Sequence, residues 1–436
     1  MTEQTQLRVV EGSILGLIGL LALVRIFLYV KVGQVLSPLD ESVYVDYVLK
    51  VPSQLVVHQG EQLSDAALKI QACHTWAQTE ALANACATGD VHDLSIFPQN
   101  GITSADLYTP VYPTITWAGM QLLLGLGAAN ELLAMRYTGA IWLALAAMGM
   151  WGVGRMLNLS PWASLGAAMA IAGATPVRWA NGFVTPDATA MLAGVAMLGV
   201  GTWWIHRETA SRSIIPPAIA FTLTSAFFTA IKLQNFYAVV VAGFWILFAR
   251  FEGNIAPLRK DVMALAGGAA LALSTQAFWF IYRAQHAVGP FPDQHVVQGF
   301  SYGFLAAESL RYIPGIGSAT GAPELLQQPW LYLTTQWMLI VVALGTVGSA
   351  VSLTKSPRFQ RLAFATLTTA IIGGPALVLA SSFAAHGFIP SPERYGLSLF
   401  PAAVLGCAAL FDQHKPGRIS WAGICTACTV IWIINY

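Results

Sequence analysis

The chain has 436 residues, 56% of them hydrophobic and 10% charged, with a mean hydropathy of +0.60. That balance excludes a string of two or three soluble domains and makes lipid the main solvent. The formal net charge of +1 supplies no basic field for nucleic acid, so no nucleic-acid partner is expected.

Crossing the hydrocarbon core takes roughly 20 mostly apolar residues, and lipid forces backbone groups to pair internally, so apolar runs of that length predict helices. The expected class is an all-α polytopic bundle. In chain order the predicted spans are 14–32, 138–157, 161–177, 188–205, 214–231, 235–249, 262–281, 330–353, 362–380, 397–411 and 419–435, about 11 in all. The first run exceeds a signal-peptide core and has no convincing cleavage site before Gln34, so it reads as a retained span. Charged residues gather at span ends and in loops rather than at span centres, which speaks against a proton-coupled carrier or channel.

The segment Val111–Gly127 leaves two choices open. It is apolar enough to span, yet it opens Val-Tyr-Pro and carries Trp117 and Gln121, as an interfacial helix does. If it lies on the membrane, Arg155, Arg207, Arg212, Arg250, Arg259, Lys260, Lys355, Arg358, Arg361, Lys415 and Arg418 share the N-terminal side, which the positive-inside rule makes cytoplasmic. That topology puts the C-terminus outside. Two loops on the outer face, 34–136 and 283–329, are then too long to be connectors. No separate soluble domain is expected. The first loop holds Cys73 and Cys86, which in an oxidising compartment form a loop-closing disulfide; Cys407, Cys425 and Cys428 fall in or beside apolar spans and read as packing residues.

Ionisable residues from distant parts of the chain meet at the outer interface in this topology. Asp40 and Glu41 follow the first span, where an acid at the mouth of a cavity suits a general base. Acids in the first turn of a helix running to Lys50 explain them equally well. Asp187, after Pro186, likewise suits either a site acid or a helix start. Lys232 and Arg394, cations on the side depleted of them, suit an anion such as a phosphate; for Lys232, snorkelling to headgroups is the plainer account. The loop residues His286, Asp293 and His295 have ligand chemistry for a divalent metal, at a spacing that matches no compact motif, so neither metal nor cofactor is assigned. No phosphate-binding Gly-rich loop, His-Glu-x-x-His or Gly-x-Ser-x-Gly is present.

Asp40-Glu41 after the first span, Tyr108-Thr109-Pro110-Val111-Tyr112 opening a juxtamembrane helix, Thr185-Pro186-Asp187 opening a span and Glu393-Arg394-Tyr395 before a late one form an ordered set. In this order the chain resembles the GT-C superfamily of polytopic membrane glycosyltransferases, especially actinobacterial members with a cysteine pair in the first loop. The resemblance implies a polyprenyl-phosphate sugar donor, a glycan or lipid acceptor of the cell envelope, and a bacterial plasma membrane with the active face outside. It implies Asp40 as inverting base, Glu41 as its neighbour or substitute, and Asp187 as support. Arg394 and Lys232 fall at the donor phosphate, with Tyr44, Tyr108, Glu393, Tyr395 and His295 around the substrate. The other classes in view are a lipid or lipid-linked-sugar flippase and a non-catalytic membrane scaffold.

Overall fold

The computed structural model describes residues 3–33, 35–37, 40–210, 212–250, 255–292, 301–317, 328–351, 353–385 and 391–435. Among the described residues the regular structure is helical, and nine helices are long and apolar enough to cross a membrane. The chain is an integral membrane protein by that criterion.

The first span lies in α1 (Glu3–Val32). The first large loop then folds as α2 (Glu41–Lys50), α3 (Asp65–His74), α4 (Glu80–Thr88) and α5 (Val111–Gly125). Ser64 and Thr79 cap α3 and α4 by accepting from Ala67 N and Leu82 N, and Gly89 ends α4 in the left-handed conformation that an absent Cβ permits. The expected Cys73–Cys86 bridge is present and ties α3 to α4. Leu68, Phe97, Tyr112 and Met135 share a hydrophobic core under this loop, so it is a packed cap. With 15 residues, α5 is about 22 Å long, short of a hydrocarbon core about 30 Å thick.

The main bundle comprises α6 (Glu131–Met156), α7 (Pro161–Gly173), the short α8 (Val177–Gly182), α9 (Ala190–Thr209), α10 (Ile215–Ile231), α11 (Phe236–Arg250) and α12 (Ile255–Gln285). It continues with α13 (Tyr302–Gly315), α14 (Pro329–Ala343), α15 (Pro357–Ala385), α16 (Phe400–Phe411) and α17 (Lys415–Ile434). Helix α14 runs into a π turn, Leu344–Gly348, where a Cβ on Gly345 would stand 1.8 Å from the Ala403 carbonyl; only glycine lets α16 approach so closely.

Three sequence expectations need correction. The span expected over 161–177 stops at Gly173, because Pro176 disfavours helical geometry in the residue before it; 13 residues cannot cross alone. The 17-residue α10 also falls outside the nine, whose shortest, Leu233–Arg250, reaches 18 residues by including the turn before α11. The third concerns charge: Arg25 lies within the first span and is 1% exposed. Its guanidinium donates to the carbonyls of Ala172 and Ala174 at the break after α7, and it stacks over Trp432 at 4.7 Å. Arg25 therefore closes a helix end, and its charge is occupied by structure.

One end of the bundle collects tight, closed polar contacts. Asp412 accepts from the Ser160 backbone amide and hydroxyl, and from Arg418 at 2.8 Å. Asp261 accepts from Arg250 at 2.9 Å and from the Trp204 indole at 3.2 Å. The opposite end, beneath the packed cap, holds the candidate site.

Candidate functional site

Asp40 occupies the N-cap position of α2, where an aspartate ordinarily accepts from a backbone amide of the first turn. Here its side chain makes no capping bond. The carboxylate is 49% exposed and stands 3.8 Å from Nη2 of Arg394. The helix-start account of Asp40 thus holds for its backbone and fails for its carboxylate.

Glu41 has the opposite fate. Its Oε1 accepts from Arg136 Nε at 2.8 Å and Val184 N at 2.9 Å, and its Oε2 accepts from Ser37 N at 2.7 Å and Arg136 Nη2 at 2.8 Å. Arg136 also donates to the carbonyls of Gly33 and Val35. Both side chains are 1% exposed. Four accepted hydrogen bonds fill the carboxylate, so Glu41 fastens the chain after α1 to α6 and to the segment before Asp187; as a stand-in base it has no vacant oxygen.

Asp187 lies on a tight 3₁₀ turn, Pro186–Thr189, opened by Thr185, whose hydroxyl accepts from Asp187 N at 3.3 Å. The acid does start a helix, but its carboxylate bridges two cations. One oxygen takes the ammonium of Lys232, and the other is 3.4 Å from Arg394 Nε. Lys232, at the C-cap of α10, is 2% exposed, so it faces Asp187 and not lipid headgroups. Burial pulls its pKa below the ordinary lysine value, with Asp187 opposing in part.

The Glu393–Leu399 turn before α16 supplies Arg394 and Tyr395. The Tyr395 ring lies 4.7 Å from the Lys232 ammonium and 5.5 Å from the Arg394 guanidinium, a face-on cation–π arrangement that holds both cations against one surface. The turn is seated on α13: a Cβ at Gly315 would come within 2.6 Å of Glu393 Cγ, and one at Gly396 within 3.0 Å of the Tyr312 ring. Glu393 is thus a packing contact of α13. Behind Asp40, the Tyr44 and Tyr108 rings meet edge to face at 5.4 Å, and burial raises both phenol pKa values, so the hydroxyls stay protonated and able to donate.

Asp40, Tyr44, Asp187 and Arg394 line a cleft, with Lys232, Tyr108 and Tyr395 behind its wall. Asp40, Tyr44, Thr185, Asp187 and Arg394 form its polar wall, and Pro176, Trp179, Phe183 and Leu397 an apolar one. Of the sequence candidates, Asp40, Asp187, Lys232, Arg394 and Tyr395 come together, with Tyr44 and Tyr108 adjoining. His295 and Asp293 lie outside the described residues. His286 stacks on Tyr282 at 4.1 Å, with its Nδ1 2.8 Å from the Tyr282 carbonyl, and among the described residues no trio of His, Cys, Asp or Glu is placed to hold a metal.

The sequence reasoning missed Arg136, Trp179 and Phe183. Arg136 had a visible signal, a cation on the side where cations are scarce; the aromatics had none beyond their position next to Asp187. Comparison with protein-family models, curated proteins and solved structures found no match.

Proposed function

We propose that this chain is a GT-C-type membrane glycosyltransferase that moves a sugar from a polyprenyl-phosphate donor to a hydroxyl of an envelope glycan or lipid. The observation that carries the proposal is the carboxylate of Asp40, released from helix capping and half exposed at a cleft where Arg394 and Asp187 converge, with Lys232 behind. An uncapped acid at an open cleft is available for proton transfer, and two cations beside it suit a departing phosphate.

Asp40 accepts the proton of the acceptor hydroxyl as its oxygen bonds to the anomeric carbon. The bond from that carbon to the phosphate oxygen breaks, its electron pair leaves with polyprenyl phosphate, and the configuration inverts. Arg394 and Lys232 stabilise the charge that grows on the leaving phosphate, an interaction strengthened in a cleft partly shielded from water. Asp187 holds both cations in place. The apolar wall of Trp179, Phe183 and Leu397 suits the lipid or the sugar face next to that phosphate. The positive-inside distribution supports an outer-face location for this end of the bundle, as does the cysteine bridge, which is stable in an oxidising compartment.

The test is sugar transfer by purified protein supplied with radiolabelled polyprenyl-phosphate sugars and a crude membrane-lipid acceptor extract, wild type against Asp40→Asn. Transfer by the wild type and its loss in the variant is the expected result. Equal transfer by both removes Asp40 as base, and none by either across a broad donor panel overturns the proposal.

A further inference from the structure

The ion pairs around the cleft differ in tightness. Glu41 and Arg136 are in bidentate contact at 2.8 Å, and Lys232 is in direct contact with Asp187. Arg394, by contrast, stands 3.4 Å from Asp187 and 3.8 Å from Asp40, both beyond the usual 2.7–3.2 Å of a hydrogen bond. Its turn is wedged on α13 through Gly396, so the backbone is fixed while the guanidinium sits loosely between two carboxylates. Among the described residues, Arg394 is the ion-pair partner of Asp40.

Resting on the transferase reading above, we propose that Arg394 restrains Asp40 until donor phosphate displaces that contact, so that the donor binds before the acceptor is deprotonated. A phosphate offers the guanidinium two oxygens in matching geometry, a better partner than a carboxylate edge at 3.8 Å. Once Arg394 turns to the phosphate, Asp40 loses its counter-cation and its carboxylate is left to the acceptor hydroxyl. The acceptor proton then passes to Asp40 as the new bond to the anomeric carbon forms. Polyprenyl phosphate leaves with the electron pair of the broken bond, Asp40 gives its proton to water, and Arg394 returns.

Competition for one guanidinium has a signature that a base alone does not. Neutralising Asp40 leaves Arg394 held by Asp187 alone, so Asp40→Asn in lipid nanodiscs should bind a polyprenyl monophosphate more tightly than the wild type, by about two- to five-fold, the range of a partly exposed ion pair. Asp40→Ser, which can cap α2, should show the same gain, and Arg394→Gln should lose affinity in either background. Unchanged or weaker binding in both Asp40 variants, with the wild type binding normally, overturns the restraint and leaves the transferase reading standing. If neither the wild type nor the variants bind the lipid phosphate, the transferase reading falls and the restraint with it.

Discussion

The two ends of the bundle use the same residue types to different ends. At one, Asp412 and Asp261 meet their cations at 2.8 and 2.9 Å and also accept from Ser160 and Trp204, so each acid is closed by its own surroundings. At the other, Arg394 is shared at 3.4 and 3.8 Å between acids from distant segments, beside an open cleft. Closed contacts hold helices together, whereas a loose contact next to a cavity leaves charge available to a ligand. Even adjacent residues divide this way, for Glu41 is filled and Asp40 is not.

The sharpest way to break the comparison is at that adjacent pair. Asp40→Asn should cut transfer by about 10²–10⁴-fold, the usual worth of a general base, with the melting temperature in nanodiscs unmoved. Glu41→Ala should do the reverse: it strands buried Arg136 and costs about 3–5 kcal/mol, read as a large fall in melting temperature. A stable Glu41→Ala protein would deny that Glu41 is structural.

Arg394→Lys should weaken donor binding by about tenfold or more, because an ammonium cannot reproduce a bidentate grip; titration with polyprenyl phosphate measures it. The pH response of Lys232 is subtler. Its folded pKa lies below the ordinary value near 10.4, so between the two the unfolded chain holds the proton and the folded chain releases it. Stability should rise with pH across that window while donor affinity falls, and Lys232→Arg should remove the fall. The smallest effect belongs to the closed end: Ser160→Ala removes the N-cap of α7 and should cost about 1 kcal/mol with transfer unchanged.

Much of the fold is legible because lipid imposes one rule, an unbroken apolar run, and most helices obey it. Where the rule fails, a tertiary contact accommodates the failure. The break after Gly173 is tolerated because Arg25 takes carbonyls there, and the π turn carries the glycine, Gly345, against which α16 packs. Neither partner is a sequence neighbour. Asp40, Asp187, Lys232 and Arg394 stand out as ionisable residues at span ends. The division of labour between Asp40 and Glu41 does not stand out, since it depends on Arg136 arriving from α6.

The bridging of Asp187 by Lys232 and Arg394 also sets an order of assembly during synthesis. The ribosome delivers Asp40 with the first helices and Arg394 only with the late ones, so a partly inserted chain holds the exposed acid without the cation that faces it. The charge cluster at the cleft is thereby left incomplete until the late spans have joined the bundle.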